Sequence, residues 1–216
     1  MANIFFTGVH NDMNNVCFKA KYVKPVTVNH YDGKGYRLKT LNLVELEQSD
    51  ANSMQILKNN WRAAFADLIA NDVKHLNTYK KECLGSVLAI TEQDCLFELL
   101  DPQKVQALAS MRFDPIKDVV TISHLQVNPT CISENYGTLK ENCLRRIDKF
   151  LNPKFYRKEP KKYKNLGTAL LTAIKEIIPN DVIEVVSLKK ALRFYLKNEF
   201  KITNLKTLTL KWRRKA

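Results

Sequence analysis

The stretch "KKYKNLGTALLTAIKEI" (residues 161–177) places several lysines and one glycine directly before a pattern typical of an amphipathic helix. Glycine lets backbone N–H groups approach a ligand closely, and the N-terminus of a helix carries partial positive charge. A loop of this kind followed by a helix is a common way to hold a phosphate group. The same residues also suit an ordinary lysine-rich surface loop, so the segment by itself leaves both interpretations open.

The composition indicates a folded chain of 216 residues, either one domain with an extension or two small domains. Apolar residues make up 45% and charged residues 26%, which is enough for a packed core and argues against disorder throughout. The first residues lack a basic segment followed by a long apolar run, and no stretch approaches roughly eighteen uninterrupted apolar residues. We therefore expect neither secretion nor membrane spanning, and we predict a cytoplasmic protein.

The charge balance predicts an anionic partner. The chain carries 35 Lys plus Arg against 22 Asp plus Glu, a formal net charge of +13. Such an excess attracts nucleic acid, acidic proteins or a phosphorylated cofactor, without distinguishing among them. A solvated basic surface with no ligand gives the same count.

The cysteines and histidines do not indicate a metal site or a disulfide framework. The five cysteines are an odd number without close pairs, which is typical of free, mostly buried thiols. The four histidines form no HxxxH or HExxH pair, so a metal site would need ligands from distant positions. We therefore predict no metal site.

The periodicity of apolar residues predicts an α/β layout whose middle is antiparallel. We expect an N-terminal extension over residues 1–35 that contains a hairpin, because "YDGKGY" marks a tight turn. The predicted elements that follow are a strand at 36–47, one or two helices in 49–76, strands at 85–92, 104–113 and 118–129, a helix at 139–151, a helix ending near 178, a strand at 182–188, a short helix at 189–200 and a final strand at 201–212.

Three segments, in this order, resemble the GNAT family of N-acetyltransferases. "SHLQVNP" (123–129) is similar to the family's strand ending in Leu-x-Val-x-Pro. "KYKNLGTALL" (162–171) is similar to its [Gln/Arg]-x-x-Gly-x-[Gly/Ala] pyrophosphate loop and helix. "ALRFYLKNEF" (191–200) is similar to its Ala-x-x-Phe-Tyr-x-x-x-Gly-Phe helix. The resemblance covers residues 36–212 and implies one GNAT-like domain over 36–216, with a mixed, largely antiparallel sheet, a splayed strand pair and helices on both faces.

The chain departs from the family pattern at three positions and in one length. Lys162 stands where the family has Gln or Arg, Asn165 where it has the first loop glycine, and Glu199 where it has the glycine before the last Phe. Asn tolerates positive φ better than other non-glycine residues, so we expect Asn165 at positive φ. Residues 130–161 are an insertion, and its apolar stripe at helical spacing predicts a flap that contains a helix.

The resemblance implies acetyl-CoA as the cofactor and assigns its contacts to two segments. Main-chain groups at the splayed strand end hold the pantetheine arm and the acyl carbonyl, and the N–H of Val127 is the expected oxyanion donor. The amides of the loop and first helical turn hold the pyrophosphate. The implied cofactor-binding residues are Leu125, Gln126, Val127, Lys162, Tyr163, Lys164, Asn165, Leu166, Gly167 and Thr168.

The resemblance also implies two kinds of catalytic group. Tyr195 is the expected acid for the departing thiolate. Glu184, a carboxylate in an otherwise apolar strand, is the expected base, because partial burial would raise its pKa. His124 on the neighbouring strand is an alternative base. Leu188 stands where many members have Asn, so one cofactor contact is expected to be missing.

Two functions follow from these features. The first is transfer of an acetyl group from acetyl-CoA to an amine on a protein, a peptide or another macromolecule, with small amines left open. The second is an inactive GNAT-like basic protein that binds RNA or the ribosome, which the +13 charge and the tail "KWRRKA" favour. Weak nucleic-acid association through the basic surface is compatible with both functions.

Overall fold

A computed structural model describes residues 20–61, 64–76, 85–93, 100–131 and 161–215. In the described residues nine strands form one sheet in the order β6-β1-β2-β3-β4-β5-β7-β9-β8. The strands are β1 Ala20–Tyr31, β2 Tyr36–Leu46, β3 Gly85–Thr91, β4 Val105–Asp114, β5 Val119–Val127, β6 Tyr163–Lys164, β7 Val182–Val186, β8 Lys201–Asn204 and β9 Thr209–Arg213. The α-helices are α1 Ala51–Trp61, α2 Ala64–Lys74, α3 Leu166–Ile177 and α4 Leu192–Lys197.

The sheet is mixed but largely antiparallel, as predicted. Strands β3, β4 and β5 form the antiparallel middle that the sequence predicted, and β2 extends it by pairing antiparallel with β3. The parallel pair in the sheet is β5 with β7, which α3 connects. Within the described ranges no helix has the length and apolar character needed to cross a membrane.

Helices cover both faces of the sheet, also as predicted. Leu88 and Ile90 of β3 belong to the core on the α3 side. Val87 and Ala89 of the same strand belong to the core beneath α1 and α2. All seven residues of β3 are buried, which explains why "GSVLAIT" is almost uninterrupted by polar residues.

The predicted N-terminal boundary passes through a hairpin. The "YDGKGY" turn does connect two strands, with the N–H groups of Lys34 and Gly35 donating to Asp32 Oδ1 at 2.9 Å. However, β1 pairs along its length with β2 inside the main sheet. The folded body therefore includes residues 20–35, which we had predicted as part of an extension.

The C-terminal segment forms a hairpin where one strand was predicted. Asn204 ends β8, and its Oδ1 accepts hydrogen bonds from the N–H groups of Lys206 at 2.9 Å and Thr207 at 3.3 Å. This Asx-type turn reverses the chain, and Leu208 adopts positive φ before β9 begins. The predicted helix at 139–151 and the flap at 130–161 lie outside the described residues, except for residues 130–131 and 161.

Strands β5 and β7 diverge after a short paired segment. Val120, Thr121 and Ile122 pair with Ile183, Glu184 and Val185. Beyond this point β7 ends at Val186, whereas β5 continues to Val127 along β4. The sheet is thus open between β5 and β7, which is the splayed pair expected from the sequence.

Candidate active site

The end of β5 presents unpaired backbone groups to this opening. The N–H of Asn128 donates to the carbonyl of Gln106 at 2.8 Å, so the amide of residue 128 points toward β4. Alternate amides along an antiparallel strand point in opposite directions. The N–H groups of Leu125 and Val127 therefore face away from β4, into the gap that β7 has left.

The start of α3 presents a second set of free amides to the same region. Asn165 adopts the left-handed conformation with φ 62° and ψ 15°, as predicted, and its side chain makes no capping hydrogen bond. The first intrahelical bond runs from the N–H of Ala169 to the carbonyl of Asn165 at 2.8 Å. The preceding N–H groups, those of Leu166, Gly167 and Thr168, have no acceptor within the helix and are oriented to bind an anion.

The reason for glycine at position 167 differs from the one predicted. A Cβ built at Gly167 would lie 3.1 and 3.2 Å from two ring carbons of Phe194 and 3.5 Å from Val127 Cγ2. The absent side chain thus lets α3 pack closely against Phe194. Close approach of a phosphate is not required to explain this glycine.

A cleft of about 500 Å³ connects the two sets of amides. Eight of the ten predicted cofactor-binding residues line it: Leu125, Gln126, Val127, Tyr163, Asn165, Leu166, Gly167 and Thr168. Lys161 and Lys190 also line the cleft and add positive charge to that of the α3 N-terminus. A long ligand with a phosphate at one end and a carbonyl at the other fits this arrangement.

Lys162 and Lys164 do not line the cleft, contrary to prediction. Lys162 Nζ lies 2.6 Å from Glu92 Oε1, and Lys164 Nζ lies 3.7 Å from the ring centroid of Tyr36. The loop is also partly a strand, because Tyr163 and Lys164 pair with His30 and Asn29 of β1. The side chains of both lysines are therefore used within the fold.

The pairing with β1 determines the direction in which each backbone amide of β6 points. The carbonyl of Lys162 accepts from the N–H of Tyr31 at 2.9 Å, so residue 162 faces β1. By the alternation of an antiparallel ladder, the amide of Tyr163 faces away from β1 and that of Lys164 faces toward it. The amides of Tyr163 and Lys164 were both predicted to contact the cofactor. Only the Tyr163 amide points away from β1.

A buried network anchors this short strand. Tyr163 is fully buried, and burial together with a hydrogen bond to Glu92 raises the pKa of its hydroxyl. Burial opposes ionisation of Glu92, but hydrogen bonds from Lys162 and Tyr163 and the charge of Lys39 hold the pKa of its carboxyl below the usual value. The network fixes the residues that lead into Asn165.

Tyr195 follows Phe194, which lines the cleft, but is not itself among the lining residues and lies mostly within the core. It is 7% exposed, and its ring packs edge-on against Phe194 at 5.0 Å and Phe200 at 5.5 Å between centroids. Burial raises the pKa of its hydroxyl to about 12. The hydroxyl makes no hydrogen bond to the described part of the chain, so it stays a protonated group with a free donor.

Glu184 is not among the residues that line the cleft. It pairs with Thr121 across β5 and β7, on the face opposite α3. Its Oε2 lies 2.9 Å from Lys211 Nζ. The structure therefore pairs the Glu184 carboxylate with Lys211 outside the cleft, and its role as base stays a prediction.

His124 lies closer to the opening than Glu184 does. It follows the last β7-paired residue, Ile122, by two positions and immediately precedes Leu125. A β-bulge at Ser123 interrupts the register with β4 just before it. The His124 Nδ1 atom lies 3.3 Å from Asp72 Oδ2 on α2 and 3.1 Å from Ser110 Oγ on β4.

Sequence reasoning missed several cleft residues. Those not predicted are Cys131, Lys161, Lys190, Ala191 and Phe194. Ala191 and Phe194 belong to the "ALRFYLKNEF" motif, and Lys161 belongs to the quoted lysine run, so the motifs contained a usable signal. Among the described residues no group of three or more His, Cys, Asp or Glu side chains is placed to hold a metal ion.

Comparison with known proteins gave structural likenesses without sequence relatives. No family model and no curated protein matches the chain. A putative N-acetyltransferase from Lactobacillus plantarum is 14% identical with a TM-score of 0.44, over 80% of this chain and 97% of that one. The PaiA N-acetyltransferase from Thermoplasma acidophilum in complex with coenzyme A is 10% identical with a TM-score of 0.39, over 82% and 100% of the two chains.

AtaTR bound with AcCoA is a further structure of this kind, 11% identical with a TM-score of 0.43, over 80% of this chain and 92% of that one. At identities of 10–14% and TM-scores below 0.5, these likenesses carry no functional argument, and the function has to be inferred from the cleft. On the evidence of its own strand order, splayed β5–β7 pair and position of α3, the chain has a GNAT-like fold.

Proposed function

We propose that the chain is an acetyl-CoA-dependent N-acetyltransferase. The observation that carries this proposal is that two sets of free backbone amides face one cleft. Those of Leu125 and Val127 suit a thioester carbonyl and an amide-bearing arm, and those of residues 166–168 at the start of α3 suit a pyrophosphate.

The charge around the cleft fits the same ligand. Lys161 and Lys190 line it, the dipole of α3 points its positive end into it, and none of the described lining residues is acidic. Acetyl-CoA, when bound, supplies an activated acetyl thioester. The main-chain N–H of Val127 stabilises the developing oxyanion, and Tyr195 donates a proton to the departing sulfur.

We further propose that the acceptor is an amine on a macromolecule. The chain carries a net charge of +13, which repels a free polycation and attracts an acidic protein or an RNA-linked group. The acceptor reaches the thioester through the opening between β5 and β7, on the face of α2.

Binding of acetyl-CoA tests the enzyme proposal directly. We expect micromolar affinity in a calorimetric titration and a rise in melting temperature, because a ligand at about 100 times its Kd adds about 2.7 kcal/mol to the unfolding free energy. CoA without the acetyl group is expected to bind comparably, since the pyrophosphate contacts are unchanged. Saturating acetyl-CoA that produced neither heat nor a thermal shift would rule the proposal out.

The alternative function, RNA binding without catalysis, loses part of its support in the structure. Residues 211–213 of the tail belong to strand β9, and the side chain of the next residue packs back on the fold. Arg214 Nη2 donates to the carbonyl of Ile178 at 2.6 Å, and Lys175 Nζ lies 5.1 Å from the Trp212 ring centroid. A salt-sensitive titration with mixed RNA, in the absence of any acetyl-CoA binding, is the result that would favour this alternative.

A further inference from the structure

A polar cluster with a defined geometry lies on the α2 side of the opening. His124 is 21% exposed, while Asp72 and Ser110 are both buried. The ring of Phe65 packs against the His124 ring at 5.6 Å between centroids. Together with the hydrogen bonds from Nδ1 to Asp72 and Ser110, this contact fixes the orientation of the imidazole.

The carboxylate of Asp72 determines which imidazole nitrogen carries the proton. Burial opposes its ionisation, but hydrogen bonds with His124 and Ser110 and the charge of Arg112 lower the pKa of the carboxyl. An ionised carboxylate accepts hydrogen bonds and cannot donate one. In the neutral imidazole the Nδ1 atom, which faces this carboxylate at 3.3 Å, therefore carries the proton, and Nε2 carries the lone pair.

The Nε2 atom is free and accessible. His124 makes both of its hydrogen bonds through Nδ1, and no further polar partner of this residue occurs in the described ranges. Nε2 is also not among the fully buried side-chain atoms that lack a hydrogen-bond partner in the described residues, so it keeps some contact with solvent. An oriented imidazole with an open lone pair is the arrangement of a general base.

His124 is next in sequence to Leu125, which lines the cleft. Its side chain lies on the α2 face, whereas the neighbouring Leu125 lines the cleft and packs on the α3 side. Because β7 does not pair with β5 beyond Ile122, the sheet is open beside His124. An amine entering from the α2 face passes His124 before it reaches a carbonyl held by the amides of Leu125 and Val127.

We propose that His124 is the general base for the amine acceptor, with Asp72 and Ser110 as positioning residues; this inference rests on the proposed function. Nε2 takes one proton from the ammonium group and leaves a neutral amine. The nitrogen lone pair forms the N–C bond to the thioester carbonyl carbon while the C–S bond breaks. The bonding pair leaves on the sulfur, which takes its proton from Tyr195, and the second proton lost from nitrogen returns to the Tyr195 oxygen.

Two probe amines separate this role from a structural one. Hydroxylamine is largely uncharged at neutral pH and needs no deprotonation, whereas ethanolamine is largely protonated. We expect His124→Gln to lower CoA release with ethanolamine about 10²-fold, and to change the rate with hydroxylamine less than about fivefold. A structural defect would lower both rates alike, and equal losses would overturn the proposal.

Asp72→Asn is also expected to lower the rate with ethanolamine much more than the rate with hydroxylamine, because it favours the wrong tautomer of the His124 imidazole. The ¹⁵N chemical shifts of labelled histidine report this tautomer. Asp67→Asn is the matched control on α2, because Asp67 is exposed and pairs with Lys58 instead. We expect this control to leave both rates and the His124 tautomer unchanged. An unaltered tautomer in Asp72→Asn, or an unaltered rate split, would remove Asp72 from the positioning role.

A third measurement needs no acceptor. Diethyl pyrocarbonate modifies accessible histidine nitrogens, and we expect saturating acetyl-CoA to slow modification of His124 at least about threefold, with the exposed His75 just after α2 as the internal reference. If acetyl-CoA binds and His124 reacts at the same rate, the base is not at the acyl group and this proposal alone fails. If acetyl-CoA does not bind at all, the proposed function is wrong, and the inference about His124, which rests on it, is wrong as well.

Discussion

The left-handed backbone of Asn165 gives the sharpest test of the loop that precedes α3. At φ 62° and ψ 15°, glycine is unstrained and Asn is tolerated. A β-branched residue there places its side chain against the following carbonyl, at a cost of about 1–2 kcal/mol. Asn165→Val therefore strains the conformation that turns the first amides of α3 into the cleft, whereas Asn165→Gly does not.

The free-energy cost converts into a measurable affinity change. A difference of 1–2 kcal/mol corresponds to roughly a 5- to 30-fold change in an equilibrium constant. If the free loop of Asn165→Val relaxes away from positive φ, the whole cost appears as weaker CoA binding. If the network around Tyr163 and Glu92 holds the loop in place, the cost appears as a lower unfolding free energy instead.

Calorimetric titration with CoA measures the loss of affinity, and urea unfolding measures the loss of unfolding free energy. We expect the two losses in Asn165→Val to sum to about 1–2 kcal/mol, and Asn165→Gly to bind CoA as well as the parent or slightly better. Lys201→Val is the matched control, because Lys201 is an exposed position on β8, outside the cleft, where valine is favourable. An Asn165→Val variant that bound CoA and unfolded like the parent would refute the reasoning.

Four further predictions follow from packing, from the proposed chemistry and from the pKa shifts. Gly167→Ala is expected to destabilise the fold, because the new methyl group meets the Phe194 ring at 3.1 Å; in a double-mutant cycle Phe194→Leu should recover roughly 1 kcal/mol, and simple additivity would contradict this. Tyr195→Phe should keep CoA affinity and lower acetyl transfer about 10²-fold. Because burial raises the pKa of Tyr195 to about 12, the unfolded chain loses this proton first above about pH 10. The unfolding free energy then falls by about 1.4 kcal/mol per pH unit up to about pH 12, and Tyr195→Phe should remove that fall in alkaline denaturation curves. The pKa of Glu92 is lowered in the fold, so its stabilisation is present above the unfolded carboxyl pKa and is lost as the pH falls through the folded one. Glu92→Gln should therefore flatten the acid limb of stability against pH, and an unchanged limb would show that the ion pair with Lys162 contributes little.

Local sequence patterns were sufficient for most of the elements and for part of the cleft. Period-two alternation and unbroken apolar runs depend only on which faces of a strand are buried, so the β3–β4–β5 meander could be predicted from them. The positive φ of Asn165 could also be predicted, because it depends on the backbone conformation of that one residue. The loop and strand-end motifs also indicated eight of the residues that line the cleft.

The tertiary structure decided everything that depends on which strands are neighbours. No local signal says that β1 joins the sheet beside β6, or that Lys162 and Lys164 turn to Glu92 and Tyr36 instead of a ligand, because these partners are distant in sequence. The sequence favoured Glu184 as base on its apolar surroundings in β7, but burial of neighbours does not reveal a salt bridge to Lys211 on the adjacent strand. The sequence offered His124 only as an alternative base. Its partner became visible when α2 packed on β4 and β5, because that packing places the carboxylate of Asp72 against Nδ1.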